Sequence, residues 1–550
     1  MDSSLNTPVH WLNHWTETTP DKIFLHQPVN RKVETHTWAQ INAKVESIAS
    51  ALHHLGLTKG DKVAILAKNC AEWLIADLAI MRAGMISVPI YPSANADTIQ
   101  YVLEHSESKA VFVGKLDNWQ IAEPGVTGNV IRIDMHYPTM PCQYAWDKLD
   151  GLGEPLEPHL PEMDEIMSII YTSGSTGNPK GAMVSYRAYN WANDRIADYL
   201  SFDTNTRFLS YLPLAHITER CLVEGAAYHS NMTLYFTESL EHFVSDLQYA
   251  KPTVFFSVPR LWSLFQKNII DKVGESKLNL LLSIPVVRGL IKKKIQKGLG
   301  LEHAKLAASG SAPISPAIIH WYQRIGIDIC EAWGMTENCI YALGNFPFDA
   351  DLIGSVGKVL PGCEIKTTDE DELLFKSGGL FDGYYKNEEA TKEAFTEDGF
   401  FKTGDLAKIG DKGEVRLIGR VKDNFKTAKG KFVSPVPIEK MLAQDNHIEL
   451  LCIVGAGMSA PVCLVQISEG AAALPREQVR TSLQETLANV NGHLESHEKL
   501  GAIVVVDESW TPENDVLTPT LKIKRHVLHE RYAERVDELK GGKAIWEQEL

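Results

Sequence analysis

A chain of 550 residues is too long for one hydrophobic core, so two or more domains are expected. Hydrophobic residues at 44% and charged residues at 23% exclude a disordered or fibrous chain and describe an ordinary globular one. A net charge of -16 excludes the basic surface that sequence-independent nucleic-acid binding needs, but not a nucleotide held in a local pocket.

The eight cysteines are dispersed, with no Cys-x-x-Cys pair and no zinc-like Cys/His spacing, which suits a reducing compartment. Met1-Asp2-Ser3-Ser4-Leu5-Asn6 lacks the basic-then-apolar pattern of a secretory signal. No run approaches the roughly 18 apolar residues of a membrane span. A cytoplasmic location is expected.

From Trp38 to Leu55 apolar residues recur at helical spacing, and Gly56 and Gly60 follow as stop signals. Lys62–Ala67, Ile86–Tyr91 and Ala110–Val113 read as strands, and Glu72–Met85 and Ala96–Glu104 as helices. Such alternation predicts an α/β fold with parallel-type sheets under helical cover. No internal repeat and no low-complexity tract is visible.

The buried-strand run Ile166-Met167-Ser168-Ile169-Ile170 leads into Tyr171-Thr172-Ser173-Gly174-Ser175-Thr176-Gly177-Asn178-Pro179-Lys180-Gly181. A helical pattern follows with Ser185 as its N-cap, so a strand–loop–helix connection is expected. Glycines let backbone N–H groups approach an anion, hydroxyls add donors and the lysine adds charge, which suits a polyphosphate. It is not a Walker loop, because Asn178-Pro179-Lys180 follows Gly177 where that loop has Lys-Ser or Lys-Thr. A flexible Ser/Gly linker is the alternative, and its place between a buried strand and a capped helix argues against it.

Thr-Ser-Gly-Ser-Thr-Gly-x-Pro-Lys-Gly resembles the AMP-binding loop of the adenylate-forming superfamily, which includes acyl-CoA synthetases, luciferases and peptide-synthetase adenylation domains. The resemblance implies nucleotide contact by Thr172, Ser173, Gly174, Ser175, Thr176, Gly177 and Lys180. Leu212-Pro213-Leu214-Ala215-His216-Ile217-Thr218-Glu219-Arg220 resembles a core motif of the long-chain acyl-CoA synthetase branch. There the histidine lies where the acyl carboxylate meets ATP, a role carried to His216; a lone histidine is otherwise a packed or surface residue. Pro252-Thr253 and Val258-Pro259-Arg260-Leu261 follow the same pattern and are implied to shape the acyl pocket.

The segments Ser309-Gly310-Ser311-Ala312-Pro313 and Glu331-Ala332-Trp333-Gly334-Met335-Thr336-Glu337 are implied to sandwich the adenine. Relatives usually have tyrosine where Trp333 stands, and either ring offers a flat apolar face. Thr336 is implied to donate to the α-phosphate, and Glu337, with Thr172, to hold Mg²⁺ beside phosphate oxygens; a helix cap is the alternative for Glu337. Asp405, in Lys402-Thr403-Gly404-Asp405-Leu406, is implied to accept from the ribose hydroxyls, with Arg420 as ribose-side donor. Solvated surface charges are the alternative.

The resemblance implies a hinge at Lys422, with an adenylation domain over 1–420 and a smaller, mobile α+β C-terminal domain over 421–550. The polar stretch 421–426 reads as a linker, Pro437–Leu442 as the start of a helix, and Leu451–Val454 and Ala502–Val506 as strands. Lys431 stands where some relatives have arginine and lacks the guanidinium fork. In Leu517-Thr518-Pro519-Thr520-Leu521-Lys522-Ile523-Lys524-Arg525, Lys522 matches the family's catalytic lysine, with Lys524 as the alternative. The implied reaction activates a fatty acid with ATP and transfers it to coenzyme A. The rivals are a fatty-acyl-AMP or aryl-acid ligase delivering to a carrier protein, and a non-catalytic nucleotide-binding scaffold.

Residues 278–290 are mostly apolar, and Lys292, Lys293, Lys294 and Lys297 follow. This stretch reads either as a packed helix with a solvated end or as peripheral membrane contact through 278–297. A monomer and a homodimer are equally compatible with the sequence.

Overall fold

The structure, a computed structural model, describes residues 7–137, 139–172, 178–512, 514–518 and 522–550. Ser173, Gly174, Ser175, Thr176 and Gly177 of the glycine-rich loop, and Pro519, Thr520 and Leu521 before Lys522, lie outside the described residues. The architecture is α/β, with a large N-terminal part of several sheets and a smaller C-terminal one.

A seven-stranded sheet carries the glycine-rich loop. Its order is Gly383–Tyr384, Lys180–Ser185, Ile166–Thr172, Ile86–Ile90, Lys62–Ala67, Ser108–Gly114, Ile131–Asp134. From Ile166–Thr172 to Ile131–Asp134 every pairing is parallel, as strand–helix alternation requires. The intervening helices Ala71–Arg82 and Ala96–Ser106 bury apolar faces beside it.

The strand–loop–helix expectation is corrected here. Lys180–Ser185 is a strand, paired antiparallel with Ile166–Thr172 from Thr172↔Lys180 to Ile166↔Ser185. The loop is therefore the turn of a hairpin, and the helix Tyr186–Tyr199 begins only after it. Gly181 makes the pairing possible: a Cβ there would lie 2.7 Å from Ile169 Cγ2. Ser185 is the N-cap as expected, its hydroxyl accepting from Ala188 N at 3.3 Å.

A second sheet runs Val254–Ser257, Leu306–Ser309, Ile329–Trp333 in parallel, then Leu343–Gly344 and Lys358–Val359 antiparallel. A third, wholly antiparallel, is Glu364–Thr367, Glu372–Lys376, Phe401–Ile409, Val415–Arg420. The C-terminal sheet is Ile448–Val454, Val462–Ile467, Ala502–Val505, Lys543–Trp546. Its two apolar clusters draw only on residues from Phe425 onward. The linker reading of 421–426 is shortened accordingly: Phe425 is buried in this core, and Phe425–Lys426 pairs with Phe432–Val433. The apolar stretch 278–290 is not one helix either. Glu275–Ser283 ends before Pro285, whose missing N–H and fixed φ start a new helix, Pro285–Leu299.

One buried ion cluster ties the histidine-bearing motif to the main sheet. The Arg220 guanidinium meets Asp77 Oδ2 at 2.6 Å and Glu224 Oε2 at 3.1 Å, all three side chains without solvent exposure. It also lies over the Trp73 ring at 5.1 Å. Asp77 and Trp73 belong to the helix Ala71–Arg82, so the motif is fixed against an element of the sheet's cover. Removing one partner leaves a charge buried and uncompensated, a loss of about 3–5 kcal/mol. Asp77→Ala is expected to lower the urea midpoint of the N-terminal unfolding transition by a corresponding amount, measured by tryptophan fluorescence.

Candidate active site

The hairpin, the strand Ile329–Trp333 and the strand pair Phe401–Ile409/Val415–Arg420 converge on one groove. On the hairpin, Thr172 Oγ1 donates to Lys180 O at 3.4 Å. Lys180 Nζ stands 5.0 Å from the centroid of the Tyr384 ring. The Tyr384 hydroxyl donates to Glu337 Oε1 at 2.9 Å. Tyr384 thus links the loop lysine to the metal-ligand candidate, and sequence reasoning missed it. It reaches the site by pairing with Ala182, a long-range register that no local pattern announces. Glu337 is buried, which raises its carboxyl pKa; the Tyr384 bond and the charges of Arg420 and Lys522 act the other way. Its side chain bonds Tyr384 from within the short 3-10 helix Thr336–Asn338.

The two adenine segments are brought together by register, Ser309 pairing with Glu331. Glycine is required where they meet: a Cβ on Gly334 would lie 2.4 Å from Ile340 O, and one on Gly310 would lie 2.9 Å from Phe256 Cζ. Ser311 takes a left-handed φ of 66° in the turn. Ser311 and Ala312 are exposed, Ala332, Gly334 and Met335 are half-buried, and Thr336 is buried. Glu331 turns its carboxylate away to accept from Gly354 N at 2.8 Å, and burial pushes its pKa up to about 7. Its side chain therefore anchors a loop, which leaves only its backbone for the nucleotide contact that the resemblance implies.

Asp405 is almost fully buried, contrary to a surface reading. Trp333 Nε1 donates to its Oδ2 at 2.8 Å, and Arg420 Nε meets its Oδ1 at 2.8 Å. Asp405 and Arg420 are direct cross-strand partners. The departure from tyrosine at Trp333 thus supplies an indole N–H that orients the carboxylate.

His216 Nδ1 accepts from Thr218 N at 3.1 Å, which leaves the ring proton on Nε2. Burial, with the charge of Lys522, pulls its pKa down to about 3, so the ring is neutral across the physiological range. Two residues that sequence reasoning did not credit hold this segment. Asn69 Nδ2 donates to Leu212 O at 2.6 Å and to Ser210 Oγ at 2.8 Å, while its Oδ1 accepts from Leu214 N at 3.1 Å. Buried Glu219, pushed up to about 8 by its burial, accepts from Ser210 Oγ at 2.6 Å and from Tyr211 N at 3.1 Å.

Lys522 faces this groove from the C-terminal part. Surrounding protein pulls its pKa down to about 8, with Arg420 repelling and Asp405 and Glu337 attracting its charge. It keeps solvent exposure, as a group at the mouth of a cleft does. Lys524, the alternative, is paired with Asp515 instead. Lys422 and Lys431 are exposed.

A mostly apolar cavity of about 70 Å³, partly open to solvent, adjoins the groove. Gly310, Trp333 and Gly334 share its lining with Leu222, Val254, Phe256 and Leu306. An open polar recess elsewhere, between Asp507, Arg531, Arg535 and Glu547, is spanned by ion pairs and contains none of these residues. Among the described residues no group of three or more His, Cys, Asp or Glu could hold a metal ion, and no helix is long and apolar enough to cross a membrane.

Fold and groove together define an adenylate-forming enzyme, of the class of AMP-forming acid–CoA ligases. The AMP-binding enzyme family model matches residues 12–385, and the AMP-binding enzyme C-terminal domain model matches residues 422–541. The chain belongs to the AMP-binding enzyme family. It is 28% identical to fatty acyl-CoA synthetase A of Dictyostelium discoideum, over 92% of this chain and 85% of that protein. It is also 28% identical to a long-chain-fatty-acid–CoA ligase of Mycobacterium bovis, over 94% of each. The adenylation domain of a carboxylate reductase from Mycobacterium chelonae superposes with a TM-score of 0.80 at 22% identity, over 97% of this chain and 91% of that one. That likeness establishes the fold.

Two outcomes are expected. Because the Lys522 pKa is lowered, its ammonium is present below about pH 8 and lost above it. kcat/KM for ATP, which reports the free enzyme, should fall as pH rises through about 8, while neutral His216 adds no inflection near neutrality. Trp333→Phe keeps the aromatic face but removes a hydrogen bond to a carboxylate, worth about 1.5 kcal/mol or more. KM for ATP should rise about tenfold, measured by ATP–pyrophosphate exchange.

Proposed function

We propose that the chain joins a long-chain fatty acid to coenzyme A through an acyl-adenylate. The observation that carries this reading is the apolar cavity whose lining continues from the nucleotide groove at Gly310, Trp333 and Gly334 to Leu222, Val254 and Phe256. Such a recess suits an alkyl chain whose carboxylate lies at the groove. The relatives named as fatty acyl-CoA and long-chain-fatty-acid–CoA ligases support the same acid and the same thiol.

In the first step a carboxylate oxygen attacks the α-phosphorus of ATP, the bond to the β-phosphate oxygen breaks, and pyrophosphate leaves. Both reactants are anions, so catalysis is positioning plus charge neutralisation. Lys522 bridges carboxylate and α-phosphate, Thr336 donates to the α-phosphate, and His216, neutral with its proton on Nε2, orients the carboxylate. Residues 172–177 and Lys180 cradle the polyphosphate. The segments 310–312 and 331–335 hold the adenine, and Asp405 with Arg420 holds the ribose. Mg²⁺ fits a site with one buried carboxylate, completed by phosphate oxygens: Glu337, with Thr172, would hold it, and it would supply charge neutralisation.

In the second step residues 421–550 turn about Lys422 relative to 1–420, withdrawing Lys522 and admitting the thiol. The thiolate sulfur attacks the acyl carbonyl carbon, the bond to the phosphate oxygen breaks, and AMP leaves.

Lys522→Ala should cut acid-dependent ATP–pyrophosphate exchange about 10²–10³-fold, the scale of losing one donor aimed at developing charge. Thioester formation from supplied acyl-adenylate and coenzyme A should continue. A screen of short, medium, long and aromatic acids, with free coenzyme A against holo-carrier protein, should peak with a long chain and free coenzyme A. A peak with aromatic acids, or acyl transfer only to carrier protein, would overturn the reading.

A further inference from the structure

The helices Pro259–Val273, Glu275–Ser283 and Pro285–Leu299 form an excursion between the strands Val254–Ser257 and Leu306–Ser309. Val254, Phe256, Leu306 and Ala308 of those two strands line the apolar cavity, so the excursion is rooted at both ends in the cavity wall. Its inner face is covered: Leu278, Leu282 and Leu299 are buried, and Ile291 and Ile295 pack against the same cluster. Its outer corner is not. Leu280 is 63% exposed, Ile284 41%, Val286 82% and Leu290 67%, on either side of the helix break at Pro285.

On Pro285–Leu299, Val286 and Leu290 fall on one helical face with Lys293, Lys294 and Lys297, at spacings of four, three and four. The corner is therefore an apolar tip with a basic row running back from it. In a chain of net charge -16, residues 261–299 carry eight basic side chains and two acidic ones. Among the described residues none of those eight takes part in an ion pair, whereas lysines elsewhere, such as Lys366, Lys408 and Lys412, do. Unpaired cations around exposed apolar side chains complement a surface with anionic groups over a hydrocarbon layer. An acidic protein would match the charges but leave the protruding tip without an apolar layer to enter.

We propose that the corner formed by Leu280, Ile284, Val286 and Leu290, with Lys293, Lys294 and Lys297 beside it, docks on a membrane surface bearing anionic lipid headgroups. The apolar tip enters the headgroup boundary and the lysines contact the phosphates. Docking needs no turnover, so it stands or falls apart from the reaction proposed above.

The test is flotation of the full chain, without ATP, with vesicles of phosphatidylcholine alone or mixed with phosphatidylglycerol. The wild type is expected to float with the mixed vesicles, less so as salt rises. Lys293→Gln/Lys294→Gln/Lys297→Gln should lower the partition coefficient about 100-fold, each lysine accounting for about fivefold, the equivalent of about 1 kcal/mol. Val286→Asp/Leu290→Asp should lower it as well. The same charge change at Lys366, Lys408 and Lys412 should leave it at the wild-type value, and thermal midpoints should show that all variants fold. Failure of the wild type to float with mixed vesicles at low salt overturns the proposal. So does an equal loss from the control triple variant. Retention on polyglutamate beads without flotation assigns the surface to an acidic protein and overturns it too.

Discussion

One carboxylate joins the two sheets that wall the groove. Asp405 takes a hydrogen bond from Trp333, on the strand Ile329–Trp333, and an ion pair from Arg420, its own cross-strand neighbour. It thereby ties the parallel second sheet to the antiparallel third at the point where the chain passes into its C-terminal part. A buried carboxylate without such partners would be costly, so the arrangement holds only while all three residues keep their places. The field of Arg420 reaches Lys522 and Glu337, which couples the joint to the rest of the groove.

Charge in the groove is arranged for a ligand that brings its own. Desolvation by the surrounding protein, and after it repulsion by Arg420, loosens the hold of Lys522 on its proton. Glu337 is buried with one hydroxyl as its hydrogen-bonding partner. A polyphosphate and an acid carboxylate would relieve the first strain, and a divalent cation the second. The supports around the groove are, by contrast, held by direct contacts within the protein. Asn69 uses both ends of its amide on the segment before His216, and Glu219 holds the same segment from below. Arg220 locks it to the helix Ala71–Arg82. Reactive positions are left electrostatically open, and the backbone carrying them is closed.

The two family models meet the structure at a sensible place. The first ends at residue 385, after two strands of the antiparallel sheet, and the second begins at 422, just past that sheet's last strand Val415–Arg420. The C-terminal part has its own apolar clusters, and its ties to the rest include exposed pairs such as Arg260–Glu449. Interfaces of that kind permit relative motion. Within the excursion Arg260 is the paired exception: among the described residues the eight basic side chains of 261–299 take part in no ion pair.

Local patterning sufficed for much of this. A continuous apolar run marked Lys62–Ala67, and helical spacing marked Trp38–His54 and Ala96–Ser106, closely, because each buries apolar side chains in the clusters of the N-terminal part. The motif residues of the groove were legible because glycine, hydroxyl and charge at fixed spacing serve one chemistry. Tertiary structure alone decided three matters. Lys180–Ser185 became a strand because its partner Ile166–Thr172 was available across the loop and Gly181 allowed close approach, which helix-start signals at Ser185 could not reveal. Tyr384 and Asn69 joined the site through pairings more than a hundred residues distant in sequence, Tyr384 with Ala182 and Asn69 with Leu214. The basic excursion was visible as composition, but which of its apolar side chains face outward depended on packing against the second sheet, and composition carries no direction.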